Sequence, residues 1–176
     1  MAETPRRAAR ALARVARCVL TGFSWALVPV AVMLAAGAAY RAGSGESGLL
    51  DLAWLLALHV AGGAAGSYLL HEGGHVLVLS ACPGVRDIGI HSGLLRFSVV
   101  PRGEITRTES ILTALAGPGV CGLAGLALLA GGSPLAWWYL AHLAFLLPVF
   151  GDGRSIVRAI RGARDQAEVS PDVPNR

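Results

Sequence analysis

His71-Glu72-Gly73-Gly74-His75 places two imidazoles and a carboxylate within five residues. On a helix, positions four apart share a face, so both rings can reach one Zn²⁺ while the glutamate beside them holds and deprotonates a water. Such a trio suits hydrolysis. Chance supplies the pattern only about 0.005 times in a chain of this composition. Hydrogen bonding between helices is the competing role for membrane histidines, but three ionisable groups this close in an apolar run are costly unless they serve a site. A catalytic zinc takes three protein ligands and leaves a position for water. His59 lies 12 residues before His71, about 18 Å along a straight helix, too far for the same ion and suited to packing between helices. His91 falls in a β-prone loop, and Glu104 and Glu109 are loop acids expected to be solvated. Asp152, in Leu147-Pro-Val-Phe-Gly-Asp-Gly-Arg154, follows the last apolar run between glycines that allow close backbone approach. It is the favoured third ligand, with a helix cap or a pairing with Arg154 as its structural alternative.

The elements that must position these groups are apolar. Of 176 residues, 54% are hydrophobic and 15% charged, against about 25% charged in soluble domains. Four stretches approach or exceed the ~20 residues that cross a hydrocarbon core of about 30 Å: 18–40, 49–82, 111–130 and 135–150, the last completed by residues up to Ile160. The second, about 51 Å as a straight helix, must tilt, project or bend, with Gly62, Gly63 and Gly66 as bending points. Asp87 to Val100 offers two short β-prone runs around Ser92-Gly93, followed by Pro101-Arg-Gly. The fold class expected is an all-α polytopic membrane protein of about four transmembrane helices, with a small cytoplasmic β-hairpin between the second and third. That hairpin is either a connector or an open edge for an extended peptide, with Leu94, Leu95, Arg96, Phe97 and Ser98 as the pairing strand.

The 15 basic residues are all arginines, gathered at the chain ends and in one loop rather than along an aromatic-interleaved stripe, which excludes a nucleic-acid partner. Arg6, Arg7, Arg10, Arg14 and Arg17 precede the first span; Arg86, Arg96, Arg102 and Arg107 follow the second; Arg154, Arg158, Arg161, Arg164 and Arg176 follow the fourth. Four crossings put all of these on one face and only Arg41 on the other, so by the positive-inside rule both termini are cytoplasmic. The first span also has the outline of a secretory signal, but its apolar part exceeds a usual signal core and reads as a retained anchor. Cys18, Cys82 and Cys121, odd in number and in or beside apolar runs, read as small buried hydrophobes rather than disulfide or zinc-ribbon cysteines.

Three segments together, HEGGH in a span, Ala114-Leu-Ala-Gly-Pro118 opening the next, and Leu146-Leu-Pro-Val-Phe-Gly-Asp-Gly153 ending the last, resemble the site-2 protease family of intramembrane zinc metalloproteases. The resemblance covers residues 55–160. It implies His71, His75 and Asp152 as zinc ligands, Glu72 as general base, and cleavage of a membrane-spanning or membrane-adjacent protein near the cytoplasmic face. It also implies a three-helix catalytic core. The chain then divides into a basic cytoplasmic segment (1–17), an added anchor (18–40), a membrane-embedded metalloprotease core (49–164) and a disordered tail (165–176), set in a bacterial plasma membrane with the lipid bilayer and an unidentified membrane substrate as partners. The family commonly has an asparagine that helps stabilise the oxyanion where this chain has Phe145, and the interval from Pro148 to Asp152 is about one residue shorter. His142, one turn before Phe145, is the substitute stabiliser, or else an ordinary packed histidine. The alternative function is a non-proteolytic membrane scaffold or binding protein with a structural or degenerate metal site; intact Glu72 speaks against it.

The arginine distribution generates a topology test. A reporter fused after Arg176 is expected to be active only in the cytoplasm, and one inserted near Gly132 only outside; activity of the terminal fusion on the external side would overturn the four-span orientation.

Overall fold

A computed structural model describes residues 3–92 and 97–162. The first helix, α1 (Glu3–Ser44), is 42 residues long, about 63 Å at 1.5 Å per residue and twice a hydrocarbon thickness. The basic segment and the first apolar run thus belong to one rod, since alanine and arginine both favour helix. Ala11, Val15, Val19 and Phe23, four residues apart, form its buried stripe. They pack against Val76, Leu79 and Cys82 of the next long helix and against Val85 and Ile88 beyond it.

A connection at 45–47, with Gly45 at φ +79°, turns the chain back. α2 (Gly48–Ala57), a π-helical stretch (Leu58–Ala65) and α3 (Gly66–Ala81) follow, continuous as one helix of 34 residues. The glycines expected to act as bending points lie in and beside the π stretch, where they form a slot for the last span. A Cβ on Gly63 would fall 2.5 Å from Trp138 Cδ1. Displaced π-helical carbonyls seek other donors, and Tyr139 donates its hydroxyl to the Gly62 carbonyl at 2.8 Å. Trp138 Nε1 donates to His59 Nδ1 at 3.0 Å, an interhelical role for that histidine.

β1 (Val85–Ser92) and β2 (Phe97–Gly103) form a two-stranded antiparallel sheet, with Ile90 opposite Val99, Asp87 opposite Arg102 and an irregularity between Val85 and Asp87. The hairpin is longer than expected: Pro101-Arg-Gly belongs to β2, and Pro101 is tolerated because both strands of so small a sheet are edges. Of the expected pairing strand, Phe97 and Ser98 lie on β2, whereas Leu94, Leu95 and Arg96 lie outside the described residues, as does the tail at 165–176.

α4 (Arg107–Ala130) starts four residues earlier than the expected Ile111. Thr106 Oγ1 accepts from the Glu109 N–H at 3.2 Å, and Glu109 Oε2 accepts from the Thr106 N–H at 2.7 Å. Glu109 is therefore half of a capping box, not a solvated loop acid; Thr-x-x-Glu is the local signature. The last span is broken: α5 (Ala136–Leu140), a 3₁₀ stretch (Ala141–Leu146), an extended corner at 147–150, then α6 (Gly151–Ile160). Pro148 excludes α conformation at Leu147, whose ψ is 144°. Arg107 donates to the Ile160 carbonyl at 2.9 Å, tying the end of α6 to the start of α4.

Among the described residues, four helical segments are long and apolar enough to cross a membrane, the last of them (Ala136–Ile160) despite its break. The molecule's exterior suits that setting: Trp25, Trp137 and Leu123 are 62%, 67% and 71% exposed, an apolar surface that water would not tolerate on this scale. It is a multi-pass membrane protein.

Because Trp138 fills the space beside Gly63, Gly63→Ala is expected to destabilise the fold by about 1–3 kcal/mol through overpacking. Thermal melting of the purified variant in a neutral detergent reads this directly, and an unchanged midpoint would show that the slot is not tight.

Candidate metal centre

α3 carries His71, Glu72 and His75 with 4%, 4% and 6% of their surfaces exposed. The helical spacing brings the two rings together at a centroid distance of 4.7 Å and nearly perpendicular, at 87°. Their Nε2 atoms stand 3.1 Å apart. Asp152, at the second position of α6, faces both: Oδ2 lies 3.3 Å from His71 Nε2 and Oδ1 3.6 Å from His75 Nε2. The N-cap of α6 is Phe150, not Asp152, and Arg154 is not the partner of Asp152 among the described ion pairs.

Packing around α3 explains why these atoms meet. α3 and α4 approach so closely that a Cβ on Gly117 would lie 2.6 Å from His75 Nε2 and 2.8 Å from the His71 carbonyl. His75 Nδ1 is bonded to the Thr113 carbonyl oxygen at 2.6 Å. A carbonyl only accepts, so Nδ1 carries the proton and Nε2 keeps its lone pair toward His71 and Asp152. On the other side, the corner at 147–150 doubles α6 back over the histidines. A Cβ on Gly153 would overlap the Leu147 carbonyl, so the residue after Asp152 must be glycine for this return.

These donors fit a zinc ion. Two nitrogens and a carboxylate oxygen are a catalytic zinc set, and ligand atoms about 2.1 Å from a tetrahedral ion lie about 3.4 Å from one another; the observed separations are 3.1, 3.3 and 3.6 Å. His71 Nδ1 and Glu72 Oε2 are buried without hydrogen-bond partners, an arrangement a purely structural polar cluster would avoid.

A second grouping, His71, Cys121 and His142, also brings ligand atoms within 4.8 Å, but Cys121 and His142 are both engaged by Ser67. Cys121 Sγ donates to the Ser67 carbonyl at 3.3 Å and His142 Nε2 pairs with Ser67 Oγ at 3.0 Å. Neither lines the cavity of about 1070 Å³ onto which His71, Glu72, His75 and Asp152 open. His142 instead lies beside His71, ring centroids 4.8 Å apart. Phe145 does line the cavity, 5.0 Å from the His71 ring, and presents an apolar ring to it. His91 is exposed on β1, opposite Ser98, and does not line the cavity.

Tyr68 also lines the cavity, although the motifs do not include it. It precedes His71 by three residues and Glu72 by four, the spacing that puts it on their face, so Tyr68-Leu-Leu-His-Glu carries the signal. From the opposite side Ser98, Val99, Val100 and Pro101 of β2 complete the wall. No family model, curated protein or solved structure matches this chain.

The purified protein is expected to hold about one zinc per chain, and His71→Ala, His75→Ala or Asp152→Ala to lose it, since two remaining ligands hold the ion poorly. Gly117→Ala, which pushes the His75 ring aside while replacing no ligand residue, should weaken zinc retention about 10–100-fold. Elemental analysis with chelator competition measures both; full retention by Asp152→Ala would remove that residue from the set.

Proposed function

We propose that the protein is a membrane-embedded zinc metalloendopeptidase that hydrolyses peptide bonds of membrane-spanning or membrane-adjacent proteins near the cytoplasmic face of a bacterial plasma membrane, in the manner of the site-2 proteases it resembles. One observation carries the reading: two imidazole nitrogens and a carboxylate converge at 3.1–3.6 Å, with buried Glu72 beside them, on a cavity large enough for a peptide and water.

His71, His75 and Asp152 would hold the ion. Bound there, zinc polarises a substrate carbonyl and acidifies water. Glu72, adjacent to the histidines and short of a hydrogen-bond partner at Oε2, takes the proton from the attacking water and returns it to the departing amine. The apolar walls supplied by Phe145, Pro148 and Val149 strengthen these charge interactions by lowering the local dielectric. A helical peptide bond is concealed by its own hydrogen bonds, so the substrate must unwind locally. The strand β2, paired with β1 on one edge only, runs along the cavity through residues 98–101 and offers its other edge to an extended segment. Tyr68, which lines the cavity on the same helix face as His71 and Glu72, is a candidate hydroxyl for a developing oxyanion, since Phe145 provides no donor.

The Phe145 substitution favours a second reading, a scaffold that holds metal without turning over. Glu72→Gln separates the two, because it removes the base and keeps the ligands. Zinc content should be unchanged, while turnover falls about 10²–10⁴-fold. Mass-spectrometric mapping of new protein termini in membranes of producing cells should find sites cut by the parent and intact with Glu72→Gln. Identical termini in both, with zinc in both, would make the scaffold the better account.

A further inference from the structure

A second cavity, of about 1130 Å³, shares no lining residue with the first and is lined by Arg7, Arg10, Arg14, Ser80, Arg86 and Asp87 among others. Arg7, Arg10 and Arg14 follow one another at spacings of three and four, so α1 presents them on one face. Arg86 comes from β1 and meets them across the groove.

The groove is more than a share of the topogenic charge at helix ends. Arg7 is fixed in it, donating to the carbonyls of Val85 and Ser80, with its Nε buried and lacking a partner. Arg14 reaches Asp87 Oδ1 at 3.2 Å. Asp87 is also shared with Arg102, at 3.4 Å from Oδ2. The Ile88 backbone N–H, together with Arg14 and Arg102, holds its carboxyl below the usual range, so it stays charged and is already committed. Four arginines therefore line one groove with a single carboxylate. Planar guanidinium forks match the oxygens of phosphate.

Depth names the source of that phosphate. The apolar run of α1 begins at Cys18. Arg14 and Arg10 stand about 6 and 12 Å before it along the axis; Arg14 thus falls within the headgroup layer that flanks the hydrocarbon by about 5–8 Å, and the long Arg10 side chain reaches back into that layer from about 9–11 Å on a tilted rod. The floor of the groove, Ser80 to Cys82, is the end of a membrane-length helix. We propose that this groove binds the phosphate of an anionic phospholipid headgroup, clamping α1 to the α3–β1 corner. The site is independent of the metal chemistry above.

Lipid-dependent thermal melting in an uncharged detergent tests this. Phosphatidylglycerol should raise the midpoint of the parent, whereas phosphatidylcholine and inorganic phosphate should not. Arg10→Gln/Arg86→Gln should weaken the phosphatidylglycerol response about 30-fold in concentration, taking each surface arginine at its usual contribution near an anionic membrane. Arg6→Gln/Arg17→Gln removes the same total charge from α1 outside the groove and should leave the response in place. Arg10→Lys/Arg86→Lys should restore most of it, which guards against loss through misfolding. Equal weakening in the two glutamine pairs would reduce the effect to diffuse charge and overturn the site. An equal response to inorganic phosphate or phosphatidylcholine would overturn the anionic lipid as its ligand.

Discussion

Two imidazole nitrogens 3.1 Å apart, each facing a carboxylate oxygen inside a bundle walled by apolar helices, cannot both be left with bare lone pairs. In water the repulsion would be solvated away; here only a proton or a cation at their shared focus relieves it. The rest of the architecture serves that focus. α4 must come close enough to fix the His75 tautomer through Thr113, which demands no side chain at Gly117. The last span must stop, turn and return, which Pro148 and Gly153 impose from its two sides. Even the π-helical stretch contributes, because the slot it forms with Trp138 and Tyr139 sets how the broken span lies against α3.

The proposed hydrolysis would place a second demand on an apolar medium, since peptide and water would both have to reach the centre. The cavity meets that demand asymmetrically. One wall is the HEGGH helix with Tyr68, another the edge of β2, and a third the corner at 147–150 with Phe145. The polar groups face inward while the outer surfaces of the same bundle present Trp25, Leu123 and Trp137 to the surroundings. Phe145, 5.0 Å from the His71 ring, makes that third wall apolar.

The chain divides the tasks of its arginines in a way composition alone conceals. Arg107 closes the C-terminus of α6, Arg7 pins α1 to two carbonyls, and Arg14 and Arg102 share Asp87. Arg10 and Arg86 have no ion-pair partner among the described residues, and they are the ones that give the second groove its unspent charge.

Local rules make much of this molecule legible in its amino-acid order. The i, i+4 spacing of His71 and His75 is a property of one helix, so the sequence alone places both rings on one face; the apolar runs set four membrane-length helices because hydrocarbon thickness translates directly into residue count; and Thr106-x-x-Glu109 encodes its helix start within four residues. The sequence also offers Asp152 as third ligand, on the strength of its glycines and a resemblance. What it could not determine was the approach itself. Whether a carboxylate 77 residues beyond His75 comes within reach of it depends on the α3–α4 contact, the break at Pro148 and the direction of α6. Those are sums of many weak packing terms between residues far apart in the chain, which no local pattern encodes. The same reason hid the groove beside α1: four arginines are visible as charge in the sequence, but only packing against the end of α3 brings Arg86 to the other three.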